Sequence, residues 1–157
     1  KDNYDIIYDD DYSGEIADVV TLKLHPDKLS VGLYHLKFAI DGKVTEQVKN
    51  LYEVCGQAQK SVHWKHKDGA EFINHLLRRE TKNRNGQTCS RLEVGTKKDL
   101  EKLLSIAKKE IPMEYEIFIV QPGFSKATAT NEILTLLGVT ENYLKEVAGI
   151  NLKVISS

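Results

Sequence analysis

Two apolar stretches joined by a short turn constrain this chain more than any other feature of it. Residues 15–24 (EIADVVTLKL) and 31–40 (VGLYHLKFAI) are built from the β-branched, aliphatic and aromatic residues that strands favour, and HPDKLS between them reads as a turn. Their apolar residues fall at both odd and even positions, which predicts central strands covered on each side. Asp18 and Lys37 interrupt these runs. An unpaired buried charge costs several kcal/mol, so each must find a partner. A hairpin of this length brings the two side by side, and a plain salt bridge would account for them. Their neighbours point to more. Glu15 lies three residues before Asp18, and His35 stands two before Lys37, on the same face of its strand by the two-residue period.

The remaining segments fill out an α/β domain. The start, KDNYDIIY, is already strand-like, as expected of a piece of a longer protein, and Asp9-Asp10-Asp11-Tyr12-Ser13-Gly14 reads as a turn. After Asp41-Gly42, apolar residues from Val48 to Val62 recur at helical spacing and predict a helix from about Thr45 to Trp64. Asp68 is a suitable N-cap for a second helix reaching about Thr81. Residues 82–86 read as a polar loop and 88–94 as a short strand. Thr96 caps a third helix that ends before Pro112, and 116–121 form a buried strand broken by Pro122-Gly123. Residues 130–148 read as a helix, with a possible break at Gly138, closed by Gly149 before a last strand at 152–156. The expected order is β-β-β-α-α-β-α-β-α-β: one domain over 1–157 with a mixed sheet, a core at about 4–94 and a β-α-β extension at about 96–157.

With 157 residues the chain is long enough for one sizeable core and short for two. No apolar run approaches the roughly 20 residues of a membrane span, and the acidic, aromatic start is unlike a signal peptide. An intracellular, cytoplasmic setting is therefore expected, without a membrane partner. Cys55 and Cys89 lack metal-ligand spacing and are read as buried thiols rather than a disulfide or zinc site. The net charge of −1 hides an asymmetry. Eight acids stand against two lysines between Lys1 and Asp27, whereas from Lys60 to Arg91 eight basic residues face three acids. An acidic end suits cations and a basic middle suits phosphates, although either can simply be a solvated face.

An acid, an imidazole and an ammonium converging on one strand pair suit phosphodiester hydrolysis. A divalent ion at Asp18 would polarise the phosphate and acidify a water, while Lys37 orients that water or offsets developing charge. Oxygen ligands favour Mg²⁺. On Gly14-Glu15-Ile16-Ala17-Asp18, His35-Leu36-Lys37 and the helical Gln57 of Cys55-Gly56-Gln57-Ala58-Gln59-Lys60-Ser61, the chain resembles the PD-(D/E)XK, restriction-endonuclease-like nuclease superfamily over roughly residues 4–64. The stretch LYEVCGQAQKSVHW is similar to nuclease domains at the C-terminal end of large bacterial helicase-type or defence proteins. The resemblance implies a restriction-endonuclease-like sheet flanked by helices and a metal-dependent DNA endonuclease acting in restriction or anti-phage defence. It also implies a covalently linked helicase or ATPase region as partner. By the same resemblance Asp18 holds the metal, Lys37 is the catalytic lysine and Gln57 supports the site.

One departure stands out: His35 occupies the position of the expected Asp or Glu. Imidazole shifts metal preference toward Mn²⁺. Alternatively the carboxylate has migrated, to Glu15 first and Asp9 or Asp10 after it, or to a helix preceding Lys1. The catalytic candidates are thus Asp18, Lys37, Gln57 and His35, and the metal candidates Asp18, Glu15 and His35. Gly56 costs about 1 kcal/mol of helix propensity, which would be explained by close approach of a neighbour or ligand. Lys60, Lys65, Lys67, Arg78 and Arg79 are candidates for the DNA backbone. Trp64 reads as a core plug before a base-stacking residue. Gln121-Pro122-Gly123-Phe124-Ser125, lacking a phosphate-binding glycine pattern, reads as structural. The competing readings are a catalytically degenerate nuclease fold that binds nucleic acid or docks a helicase partner, and a pure assembly module.

Overall fold

In a computed structural model, residues 3–37 and 47–156 are described. The ends of two sequence expectations, residues 38–40 of the third strand and 41–46 of the following turn and helix start, lie outside the described residues. The chain forms a mixed α/β structure. Strands β1 (Ile6–Asp9), β2 (Val19–Leu24) and β3 (Leu29–Leu36) lead into α1 (Gln47–Ser61), a 3₁₀ turn (Val62–His66) and α2 (Gly69–Arg78). Next come β4 (Thr81–Arg84), β5 (Gln87–Ser90), β6 (Leu92–Val94), α3 (Lys97–Ala107), β7 (Met113–Val120), α4 (Asn131–Ala148) and β8 (Asn151–Ile155).

The main sheet has six strands in the order β6-β1-β2-β3-β7-β8, and β4 and β5 form a separate two-stranded ribbon. β1, β2 and β3 are an antiparallel meander, while β7 and β8 join parallel to β3 and to each other. Two-residue alternation divides this sheet. One face carries Ile6, Tyr8, Val20, Leu22, Leu29, Val31, Leu33, Ile117 and Ile119, all buried. The helices gather on that face: Tyr8 donates its hydroxyl to the Leu76 carbonyl of α2 at 2.8 Å, and Phe72 of α2 meets Tyr115 of β7 edge-to-face. The opposite face carries Thr21, Gly32, Tyr34, Glu116 and Phe118, with Tyr34 stacked on Phe118 at 4.2 Å. The expectation of central strands covered on each side is corrected here, since the helices lie on one face. Mixed apolar content arises because Tyr34 and Phe118 cover each other.

Local signals set most element ends. Asp68 caps α2 by accepting from Ala70 N, Thr96 and Asp99 form a capping box on α3, and Gly149 closes α4 in the left-handed region at φ 63°. α4 runs unbroken through Gly138. The loop expected at 82–86 is instead the hairpin β4–β5, turned by Asn85 (φ 52°) and Gly86 (φ 81°), the positive-φ pair of a type I′ turn. Its strands are polar, so apolar alternation could not announce them. The expected strand at 15–24 begins only at Val19, and the chain before it is a loop.

A candidate carboxylate centre beneath helix α1

The loop from Asp10 to Asp18 is where the sheet's acidic side chains collect. Asp10 is fully buried and anchors it: one carboxylate oxygen accepts from Ile16 N at 2.7 Å, and the other from Arg79 Nε at 2.9 Å. Arg79 also donates to the Ser13 carbonyl at 2.8 Å. Gly14 sits under this guanidinium at φ 83°, where a Cβ would come within 2.8 Å of Arg79. Tyr12 N donates to Glu15 Oε2 at 3.0 Å, holding that carboxylate back toward the loop. Asp18 ends the loop, and its Oδ2 accepts from Leu36 N on β3 at 2.7 Å.

So folded, Asp11, Glu15 and Asp18 bring one carboxylate oxygen each within 4.8 Å of one another. No lysine or arginine is ion-paired to any of the three among the described residues. Burial, and then the charges of Glu15 and Asp11, raise the Asp18 carboxyl above its usual range despite the opposing hydrogen bond from Leu36 N. Three hard oxygen donors at this spacing fit a divalent cation such as Mg²⁺.

Helix α1 presents a polar stripe toward the same end of the sheet. Glu53, Gln57 and Ser61 recur every four residues. Glu53 is ion-paired with Lys37, Gln57 Nε2 lies 3.5 Å from Glu15 Oε1, and Ser61 Oγ lies 2.9 Å from His35 Nε2. Ser61 Oγ is also 2.8 Å from the Ile16 carbonyl, its shortest acceptor. A hydroxyl has one proton, so donating it there leaves Nε2–H of His35 as donor to the serine, with Nδ1 carrying the lone pair. His35 is buried, which drives its pKa down to about 4 and keeps it neutral. The Oε1 of Gln57 is buried without a protein partner. An orphaned acceptor beside Glu15 suits a donor such as water in the site.

Of these side chains Glu15, His35, Gln57 and Ser61 line a cleft of about 420 Å³, together with Tyr12, Lys60 and Trp64. Tyr12 is 75% exposed, with φ at 146°. Trp64 is buried between Phe72 and His75, as a core plug.

The structure treats the sequence candidates unequally. It brings Asp18, Glu15 and Gln57 together. His35 lies close by, on Ser61, but outside the carboxylate cluster. The salt bridge that would have explained Asp18 and Lys37 without a metal is not formed: Lys37 pairs with Glu53, and Asp18 with backbone. The third carboxylate is Asp11 rather than Asp9 or Asp10, because Asp9 is ion-paired with Lys82 and Asp10 with Arg79. Arg79, expected to meet DNA, is committed to the acidic loop, and that expectation is corrected. Lys67 pairs with Glu71, Lys65 lies 5.8 Å above the Tyr115 ring, and Lys60 and Arg78 are exposed. The close neighbour expected at Gly56 is absent, since a Cβ there meets nothing within 4 Å. Sequence reasoning missed Asp11, Glu53 and Ser61. The Asp9–Asp11 run read only as a turn, whereas four-residue spacing from Gln57 marks both Glu53 and Ser61. Cys55 and Cys89 are free thiols.

No described helix is long and apolar enough to cross a membrane. Comparison with protein-family models, curated proteins and solved structures gives no match.

Proposed function

We propose that this chain is a divalent-metal-dependent nuclease domain that hydrolyses DNA phosphodiester bonds. The reading is carried by the convergence of Asp11, Glu15 and Asp18, three carboxylates within 4.8 Å of one another and no basic side chain ion-paired to them among the described residues. In water such a cluster costs electrostatic energy, and a divalent cation reverses the sign of that cost. Asp18, Glu15 and Asp11 would hold the cation, which would polarise a phosphoryl oxygen and lower the pKa of a bound water. Gln57 orients what enters beside Glu15. Lys37, steadied by Glu53, lies within the same helix-covered end of the sheet and supplies positive charge toward the phosphate. The meander β1-β2-β3 followed by α1 agrees with the restriction-endonuclease-like order suggested by the sequence. A role in restriction or anti-phage defence, a linked helicase or ATPase region and a cytoplasmic setting belong to the same reading.

Incubation of the protein with supercoiled plasmid and Mg²⁺ or Mn²⁺ tests this. Nicked or linear product is expected, removed by chelator, by Asp18→Asn and by Lys37→Ala, with circular dichroism unchanged in both variants. Full cutting by Lys37→Ala, or in excess chelator, would sink the proposal. A second reading is favoured by the Lys37–Glu53 pair and the His35–Ser61 bond, which engage two of the expected catalytic groups. In that case the domain binds nucleic acid without cutting. Binding that persists in chelator, weakens with salt and never yields product would establish it.

A further inference from the structure

The β4–β5 ribbon is unused by the core. It stands apart from the six-stranded sheet, and all its residues but Lys82 and Cys89 are exposed. Both strands and the turn, TKNRNGQTCS, hold no aliphatic or aromatic side chain and no acid. A two-stranded ribbon without an apolar face has little stability of its own, so this one depends on its turn and its base. Asn83 Oδ1 accepts from Gly86 N at 2.9 Å, closing the turn. Asp9 receives Lys82 and, at 3.5 Å, Arg84, while Arg91 donates to the carbonyls of Asp9 and Asp11 at 3.0 and 3.1 Å. The ribbon is therefore clamped to the segment that delivers Asp11 to the carboxylate cluster.

Its exposed side chains are those that read base edges. Arg84 and Gln87 face each other across the last pair before the turn, with Asn83 and Thr88 on the pair behind, on the opposite face. Arginine presents paired donors to guanine, asparagine and glutamine pair with adenine, and threonine bonds to either or touches the thymine methyl. Four residues a strand give a finger of about 13 Å. The major groove, about 12 Å wide and about 8.5 Å deep, admits a two-stranded ribbon, whereas the minor groove, about 6 Å wide, does not. Arg84 is 66% exposed, so its contact with Asp9 is weak and exchangeable.

We propose that the β4–β5 hairpin enters the major groove of duplex DNA beside the cleavage centre, with Asn83, Arg84, Gln87 and Thr88 contacting base edges. This rests on the nuclease reading and adds the element that recognises the substrate. Affinity for a labelled mixed-sequence DNA duplex is measured by fluorescence anisotropy in chelator, so that cutting plays no part. The full chain is compared with the quadruple alanine variant of these residues and with Arg84→Gln. The quadruple variant should bind at least about tenfold more weakly, the loss of one or more base-edge contacts. Arg84→Gln, which leaves the ribbon's hydrogen bonds in place, should weaken binding severalfold. Duplex binding by the parent that is unchanged in both hairpin variants overturns the hairpin's role and leaves the nuclease reading standing. Equal weakening on single-stranded and duplex DNA overturns groove entry. A parent chain that binds no duplex and cuts none overturns both.

Discussion

Asp10 and Arg79 show how much of this site is paid for by groups that take no part in its chemistry. Asp10 is fully buried, and burial raises its carboxyl above the usual range against the pull of Ile16 N and Arg79. Removing the guanidinium leaves a buried carboxylate without its cation, so Arg79→Ala should cost about 3 kcal/mol in chemical denaturation and loosen the loop that carries Asp11 and Glu15. A change within experimental error would mean that the loop is held elsewhere. His35 carries a different dependence. Its folded pKa, about 4, lies below the ordinary 6.5, so between these values the unfolded chain binds the extra proton. The contribution is complete above pH 6.5 and is lost as pH falls toward 4, by on the order of 3 kcal/mol at most. His35→Gln, able to bond Ser61 without titrating, should flatten this part of a stability–pH curve. A variant whose acid limb is as steep as the parent's would contradict the burial assigned to His35.

The helices divide their surfaces between core and chemistry. α1 buries Leu51, Val54, Cys55 and Ala58 while Glu53, Gln57 and Ser61 reach the sheet end. Neither Gly56 in α1 nor Gly138 in α4 is required by packing, because a Cβ at either position meets nothing within 4 Å. Gly56→Ala and Gly138→Ala should each stabilise the fold by up to about 1 kcal/mol, read as a shift in denaturant midpoint. Destabilisation by either would reveal a constraint of the backbone beyond local space. Gly14 behaves oppositely, since its φ of 83° and the guanidinium above it penalise any side chain.

Across the whole molecule, the acidic start and basic middle of the sequence turn out to face each other. Arg79, Lys82, Arg84 and Arg91 grip Asp9, Asp10 and the backbone beside them, and within the Asp9–Asp18 segment Asp11, Glu15 and Asp18 are left without a basic ion-pair partner among the described residues. That cluster predicts how stability responds to cations. The Asp18 carboxyl is raised, so from its ordinary value upward the folded chain holds the proton longer and stability falls as pH rises through the folded value. Once ionised, Asp18 is therefore a burden. Asp18→Asn keeps an acceptor for Leu36 N–H and should melt above the parent at neutral pH, whereas only the parent should gain from added Mn²⁺. Equal gains in both proteins would place the ion elsewhere.

Much of the architecture was legible in local chemistry. The caps at Asp68 and Thr96, the stop at Gly149 and the apolar periods determined the helices and most strands, because those signals act between residues a few positions apart. The oddity of Asp18 and Lys37 was legible for the same reason: charge inside an apolar run is unfavourable wherever the chain goes. What the sequence left open was the partner of each charge. Lys37 could not be assigned to Glu53, Arg79 to Asp10, nor Asp11 to the cluster, since those pairings depend on where a loop and a helix land against the sheet. The polar hairpin was hidden because its strands bury nothing. Sequence alone determined an α/β domain with charges that required explanation; the tertiary structure decided which were neutralised within the fold and which three carboxylates were left facing one another.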